Sequence, residues 1–296
     1  MKDYPIAPEL KKYCRNIPFS PFMLVLSAPV LKVLYALTPI EKGVTHEKRL
    51  ITANGKKLRL DVFSPKGCRN DAPVLFYLHG GGFGYSASPF HKKLAAIYAK
   101  EVPCRVVCPD YSLLPFHPFP CAKNECLEAY EQVRKMFSQS RFAVGGNSAG
   151  GALAIHVVNE SKVKPCFQLL LYPVCDPAQR TGSMKKFTDT PFWNAVNNKK
   201  MWKMYCANHT QSEVSPLETL PSSGVPDAYI EVAEIDCLHD EGVLYSEALK
   251  KSGAAVLLNE TKGAVHGYDT ALSTNIVKES IQKRIEALKK AFNHEV

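Results

Sequence analysis

A glycine-rich turn at residues 145–151, Gly-Gly-Asn-Ser-Ala-Gly-Gly, joins a short apolar run to a helical pattern near the middle of the chain. A serine on such a strand-to-helix turn has a strained backbone. Glycines two residues before and after it, here Gly146 and Gly150, allow the strand and the helix to approach closely. The segment therefore predicts an α/β sheet with the hydroxyl of Ser148 at its carboxyl edge. The helix behind Ser148 would favour negative charge that develops there.

A phosphate-binding loop and a plain tight turn are alternative interpretations of the same segment. A phosphate loop needs a Lys followed by Ser or Thr, which is missing here, and the glycine spacing of a dinucleotide site with a later acid is also missing. A nucleophilic role for Ser148 is therefore favoured over both alternatives.

Short apolar runs alternate with helical stretches after Gly43, beginning with a hairpin around Asn54-Gly55. Apolar runs of this kind are typical of strands buried on both faces, and their alternation with helices implies parallel connections. We therefore predict a doubly wound α/β sheet opened by an antiparallel hairpin. The predicted strands are Val44–Thr52, Lys57–Phe63, Val74–Leu78, Arg105–Val107, Phe142–Val144, Phe167–Tyr172, Ala228–Ala233 and Ala255–Leu258. The predicted helices lie near residues 90–100, 121–139, 149–161, 239–252 and 275–292.

Residues 177–215 interrupt this alternation with aromatic side chains among many polar ones, and they predict an inserted cap. A chain of 296 residues without internal repeats or long linkers fits one domain, 1–296, with the cap embedded in it.

The apolar segment from Phe19 to Pro39 is interrupted by Pro21, Pro29 and Lys32. It is too broken for a membrane-spanning helix and predicts two short amphipathic helices packed on the domain. Contact of these helices with a membrane surface is the less favoured alternative.

A second glycine motif, His79-Gly80-Gly81-Gly82-Phe83-Gly84, follows a predicted buried strand. Attack by Ser148 on a carbonyl would create an oxyanion, which must be stabilised by N–H donors on a backbone that can approach the substrate closely. We predict that the amides of Gly81, Gly82 and Ala149 are these donors.

A nucleophilic serine needs a base, and the base needs an orienting acid. Among nine histidines, His266 follows a late strand at the sheet edge that would also hold Ser148. Asp236 lies just past the end of an earlier strand, whereas Asp240 and Glu241 are suited to be capping charges in the first turn of the next helix. The predicted triad is Ser148, Asp236 and His266.

The composition limits which binding partners and cofactors we expect. The net charge is +9, but the lysines are scattered, so we expect a solvated surface and no nucleic-acid binding. The ten cysteines show no paired spacing, so we predict no metal, no cofactor and no disulfide framework, with reduced thiols in the cytoplasm.

The motifs HGGGF at 79–83, GGNSAGG at 145–151, EIDCLHDEG at 234–242 and HGY at 266–268 resemble those of the hormone-sensitive-lipase-like family of α/β-hydrolases. The similarity also includes DYSLLPFHPFP at 110–120, where Ser and Phe replace the usual Arg and Glu. The resemblance implies the α/β-hydrolase fold, with a mostly parallel eight-stranded sheet and helices on both faces. It also implies a small helical cap formed by about residues 1–42 and the insertion at 177–215. It supports the predicted triad and oxyanion donors, although Asn147 stands where the family usually has Asp or Thr.

These observations predict a serine carboxylesterase that hydrolyses short-chain acyl or aryl esters through an acyl-enzyme intermediate. An amidase or deacetylase of small amides would use the same triad and is one alternative. A non-catalytic ligand receptor of the same fold is the other, which the presence of His266 disfavours. The expected partner is a small ester, and a homodimer is left open.

Overall fold

Eight strands form one sheet in the computed structural model, which describes residues 3–220 and 224–293. Their order across the sheet is β1-β2-β4-β3-β5-β6-β7-β8. The strands are β1 Val44–Ala53, β2 Lys56–Pro65, β3 Val74–Leu78, β4 Arg105–Pro109, β5 Phe142–Asn147, β6 Phe167–Leu171, β7 Asp227–Ile235 and β8 Val256–Val265.

Strands β1 and β2 form an antiparallel hairpin, and β2 pairs antiparallel with β4. The remaining pairings are all parallel, and the central strands β3 and β6 are buried along their whole length. Parallel strands need helical crossovers that cover the sheet, which explains why these short runs are continuously apolar. The predicted mostly parallel, eight-stranded sheet is confirmed.

Ten α-helices surround the sheet within the described residues. They are α1 Pro8–Lys11, α2 Pro21–Leu37, α3 Pro89–Glu101, α4 Cys121–Met136, α5 Ala149–Glu160, α6 Gly182–Lys186, α7 Ala195–Cys206, α8 Gln211–Val214, α9 His239–Lys251 and α10 Asn275–Asn293. The five helices predicted from the alternation correspond to α3, α4, α5, α9 and α10.

The N-terminal segment differs from its prediction. Instead of two short helices it forms one helix, α2, which continues through Pro29. Proline removes one backbone hydrogen bond from a helix, but Pro29 lies on the exposed side, where water can bind the freed carbonyl. Only Leu24 and Tyr35 of α2 are buried, so most of the helix surface lies outside the core.

Helices α6, α7 and α8 all lie between β6 and β7, in the predicted insertion. This insertion contacts the N-terminal segment. The backbone N–H of Phe192 donates to the carbonyl of Arg15 over 2.7 Å, and the side chain of Asn197 donates to the carbonyl of Ile17 over 2.9 Å. No helix among residues 3–220 and 224–293 is long and apolar enough to cross a membrane.

Candidate active site

Ser148 lies on the sharp turn between β5 and α5, with φ 55° and ψ −122°. These angles are uncommon for a residue with a side chain, and they store strain at the turn. The flanking glycines have no room for a side chain. A Cβ on Gly150 would lie 2.1 Å from the carbonyl oxygen of Leu78, and one on Gly146 would lie 2.3 Å from the carbonyl of Gly150. The strand and the helix therefore approach each other closely at this turn, as the sequence predicted.

A chain of hydrogen-bonding distances connects Ser148 to His266 and Asp236. The Nε2 atom of His266 is 2.9 Å from the Ser148 hydroxyl oxygen, and its Nδ1 is 2.7 Å from a carboxylate oxygen of Asp236. The other Asp236 oxygen accepts a hydrogen bond from the backbone N–H of Leu238 over 2.9 Å. All three side chains of the predicted triad are buried and meet at one edge of the sheet. This arrangement can transfer the hydroxyl proton to an imidazole held by a carboxylate.

The three residues predicted to supply oxyanion donors belong to the two glycine motifs. Gly81 and Gly82 line the same cavity as Ser148 and have φ values of +123° and +59°, a backbone region that favours glycine. Ala149 is the first residue of α5, whose leading N–H groups have no partner inside the helix. Gly81 and Gly82 thus border the cavity that contains Ser148, and Ala149 directly follows Ser148 in the chain.

Asn147 makes contacts that the sequence did not predict. Its carboxamide oxygen accepts a hydrogen bond from the backbone N–H of Gly80 over 2.9 Å and another from the hydroxyl of Tyr77 over 3.3 Å. The amide nitrogen lies 3.5 Å from Nε2 of His91. The residue before the serine thus connects the two glycine motifs, a contact that spacing alone could not indicate.

Two further histidines lie near this amide. Burial, with a smaller contribution from the nearby His79, keeps the pKa of His91 well below its usual value, so His91 is neutral at pH 7. Burial also lowers the pKa of His79. The ring of His79 stacks on that of Tyr111, with 4.4 Å between the ring centroids.

The cavity that contains Ser148 and His266 has a volume of about 300 Å³ and is mainly apolar. Ile17 and Leu31 line it from the N-terminal segment, and Phe192 and Trp193 line it from the insertion. The ring of Trp193 lies 6.2 Å from the ring of His266 and 5.2 Å from that of Phe19. Small apolar ligands with one polar reacting group suit such a space.

A fully buried ionic cluster lies behind His266, and no sequence motif indicated it. The guanidinium of Arg284 on α10 donates to both carboxylate oxygens of Glu231 and, over 2.9 Å, to Asp269. Asp269 also accepts a hydrogen bond from the hydroxyl of Tyr172 over 2.6 Å, and the Tyr172 ring lies 4.8 Å from that of His266. The cluster holds the loop that carries His266 against the sheet.

Glu241 lies in the first turn of α9, as predicted, but its carboxylate binds the turn after another strand instead of capping its own helix. It is fully buried and accepts hydrogen bonds from the backbone N–H groups of Cys175 and Asp176 over 2.8 Å and 3.0 Å. Burial raises the pKa of Glu241 to about 8. The sequence could not indicate this burial. An acidic residue in the first turn of a helix looks the same in the sequence whether its side chain faces water or binds another loop.

The chain is similar in sequence and in structure to known esterases. The family model for the α/β-hydrolase fold matches residues 75–270. Carboxylesterase NlhH of Mycobacterium tuberculosis is 30% identical over 264 residues, which cover 83% of each chain. Ethyl acetate hydrolase of Pseudomonas putida is 30% identical over 237 residues, or 74% of each chain.

Among solved structures, esterase LipW from Mycobacterium marinum has a TM-score of 0.90 at 27% identity, covering 98% of this chain and 97% of the other. A bacterial heroin esterase has a TM-score of 0.88 at 25% identity, covering 98% and 99%.

With two thirds of its length matched and a strained serine on the strand-to-helix turn, the chain belongs to the α/β-hydrolase family. The predicted resemblance to hormone-sensitive-lipase-like esterases is confirmed by these relatives.

Proposed function

We propose that this protein is a serine carboxylesterase that hydrolyses short-chain acyl or aryl esters through an acyl-enzyme intermediate. The observation that carries this proposal is the unbroken chain of short contacts from Ser148 through His266 to Asp236 inside an apolar cavity. The chain is a carboxylic ester hydrolase, as the sequence predicted, and its relatives belong to the same enzyme class. The matches support neither the amidase nor the receptor alternative.

In the proposed mechanism, His266 takes the hydroxyl proton while the Ser148 oxygen attacks the ester carbonyl. The oxyanion would then accept hydrogen bonds from the amides of Gly81, Gly82 and Ala149. The ester C–O bond breaks, and His266 returns the proton to the departing alcohol. Water then adds to the acyl-enzyme with His266 as base, and release of the acid regenerates Ser148. Asp236 orients His266 and stabilises the imidazolium that forms in each half.

The cavity supports a preference for small substrates. Its volume of about 300 Å³ is at the lower end of the range for ligand sites, and aromatic side chains line it. An acetyl or butyryl group, or an aryl alcohol, would fit between Trp193 and the glycine loop. A relative named ethyl acetate hydrolase supports the same substrate class.

We also propose that the N-terminal segment and the insertion act together as the cap of a single domain. Both line the cavity, and the hydrogen bonds of Phe192 and Asn197 join them. All ten cysteines are free thiols, which supports a reducing compartment such as the cytoplasm. A homodimer stays a prediction.

The proposal is tested with p-nitrophenyl esters from acetate to palmitate and with the matching acetanilide. We expect kcat/KM to be highest at two to four acyl carbons and higher for the ester than for the amide. Ser148→Ala should lower kcat/KM by about 10⁴-fold or more, while the exposed control Ser212→Ala should leave it unchanged. Full activity of Ser148→Ala, or a preference for amides or palmitate, would overturn the proposal.

A further inference from the structure

One face of helix α2 carries a continuous apolar surface that nothing in the described chain covers. Its large side chains recur three and four residues apart and are between 47% and 75% exposed. They are Phe22, Val25, Leu26, Val30, Val33, Leu34 and Leu37, which we call the α2 stripe. They make up half of the exposed large hydrophobic residues in the described chain. Contiguous apolar surface of this kind marks an interaction site, whereas single exposed apolar residues are ordinary.

The two flanks of α2 face different cavities. Ser27 and Leu31 on one flank line the cavity that contains Ser148. Lys32, Tyr35 and Ala36 on the other flank line a smaller cleft of about 130 Å³. The α2 stripe therefore forms a ridge between the mouth of the candidate active site and this second cleft.

The second cleft is cationic. Lys32, Lys48, Arg59 and Lys92 line it, with Asp110 as its acidic residue. Arg59 forms ion pairs with Asp110 over 3.1 Å and with Asp61 over 3.3 Å. The side chains of Lys32 and Lys48 are exposed at the cleft. The four basic side chains outnumber the two carboxylates, so the cleft has a net positive charge.

Lys92 has a structural role in the same cleft. Its ammonium group donates to the carbonyls of Tyr35 and Thr38 over 3.0 Å and 2.7 Å, at the C-terminal end of α2. A cation at this position interacts favourably with the helix dipole and binds the carbonyls at the end of the helix. The end of α2 is thus fixed to α3, so the apolar ridge is held in place on the domain.

We propose that α2 is an interfacial helix that lies flat on an anionic lipid surface. The α2 stripe would enter the boundary between head groups and acyl chains, while Lys32 and Lys48 face lipid phosphates. An apolar helix face beside basic residues is the combination that such surfaces attract.

Charge favours lipid over a second copy of the chain as the occupant. A two-fold contact through the α2 stripe places the same surface of both protomers together. With the two copies of α2 antiparallel, the cationic clefts would lie on the same side of the contact, and the lysines would repel one another. An anionic lipid surface instead supplies the opposite charge along the whole flank.

Docking in this way would place the mouth of the Ser148 cavity next to the membrane, because Ser27 and Leu31 lie between the cavity and the α2 stripe. If the proposed esterase function holds, esters dissolved in the lipid phase would reach Ser148 without crossing bulk water. The binding itself does not depend on that function, and it is measured separately.

The test is co-sedimentation of the full chain with phosphatidylcholine vesicles that contain either no phosphatidylglycerol or about one third of it. Leu26→Gln/Val33→Gln removes the middle of the α2 stripe. Its matched control is Leu257→Gln/Val163→Gln, since these residues lie outside α2 and are 59% and 50% exposed. Lys32→Gln/Lys48→Gln removes the charge, with the exposed pair Lys250→Gln/Lys251→Gln as control.

We expect the unmodified chain to bind the anionic vesicles and both test variants to bind them at least tenfold more weakly, with both controls unchanged. Turnover of a water-soluble acetate ester should be the same in all five proteins, which shows that they are folded and separates this test from that of the proposed function. No vesicle binding, or equal binding by Leu26→Gln/Val33→Gln, would overturn the proposal. A dimer that this variant dissociates, without vesicle binding, would overturn it in favour of a second copy.

Discussion

The carboxamide oxygen of Asn147 accepts a hydrogen bond from the backbone N–H of Gly80 over 2.9 Å, at a point where both residues are buried. This bond joins the turn that carries Ser148 to the loop that carries Gly81 and Gly82. The positions of the two glycine motifs are therefore coupled through this bond. Asn147 contacts no reacting atom, so its role would be to position the proposed oxyanion donors.

Replacement of Asn147 tests this positioning role. Asn147→Ala removes the acceptor for Gly80, and we expect kcat/KM for an acetate ester to fall about 10- to 100-fold, mainly through kcat. Asn147→Asp keeps an acceptor oxygen, and its second oxygen would face Nε2 of His91, whose Nδ1 accepts from the backbone N–H of Ser88. We expect this variant to retain activity within about tenfold. Equal activity of all three proteins would show that the contact does not position the loop.

Gly82 lies directly under the aromatic side chains that cover the site. A Cβ there would lie 2.7 Å from the Trp193 ring and 2.9 Å from the Phe19 ring, at a φ of +59°. We expect Gly82→Ala to lower kcat/KM by about 100-fold, because the loop must shift away from the position of the oxyanion. Gly253→Ala is the matched control, since Gly253 also has positive φ but open space around it. A similar activity loss in the control would mean that a general loss of stability, and not the local clash, is responsible.

Arg284 neutralises two carboxylates that are entirely buried. Arg284→Met would leave Glu231 and Asp269 without their counter-ion, and removal of one partner from a buried ion pair costs about 3–5 kcal/mol. Burial already raises the pKa of Asp269. We expect urea unfolding at pH 7 to show this loss, whereas Lys289→Met on the exposed side of α10 should change the free energy of unfolding by less than about 0.5 kcal/mol. A loss below about 1 kcal/mol for Arg284→Met would contradict the prediction.

Glu241 makes stability depend on pH. Its folded-state pKa of about 8 is above its ordinary value of 4.5, so the folded chain binds more protons than the unfolded chain between these values. Stability should therefore fall as pH rises from 5 to 8, by roughly 3–5 kcal/mol from this group at most. Glu241→Gln keeps a carbonyl acceptor for the Cys175 and Asp176 amides but cannot ionise, so it should remove this part of the slope.

The measurement is the free energy of unfolding in urea at pH 5, 6, 7 and 8. Glu247→Gln, an exposed position on the same helix, is the control and should keep the slope of the unmodified chain. If Glu241→Gln kept that slope as well, the carboxyl group would not be the source of it.

Local sequence predicted those parts of the molecule whose structure depends on neighbouring residues. The central strands are continuously apolar because both faces are covered, so β3 and β6 were found with almost correct bounds. Strand β8 instead continues to Val265, past its predicted end at Leu258, because an edge strand has one neighbour and its partly exposed residues include polar ones. Helix α2 was predicted as two helices because a proline usually ends a helix, and its exposed position was not visible in the sequence.

The sequence by itself determined the class of fold, the serine at the strand-to-helix turn, and the histidine and acid that meet it, since each follows a strand and parallel strands end at one edge. Only the tertiary structure decided which distant groups touch that site. Examples are the hydrogen bond between Asn147 and Gly80, and Arg284 pairing with Glu231 and Asp269. The tertiary structure also decided that the α2 stripe is left uncovered. Such contacts join residues far apart in the chain, and no local pattern encodes them because they arise when separate elements pack against each other.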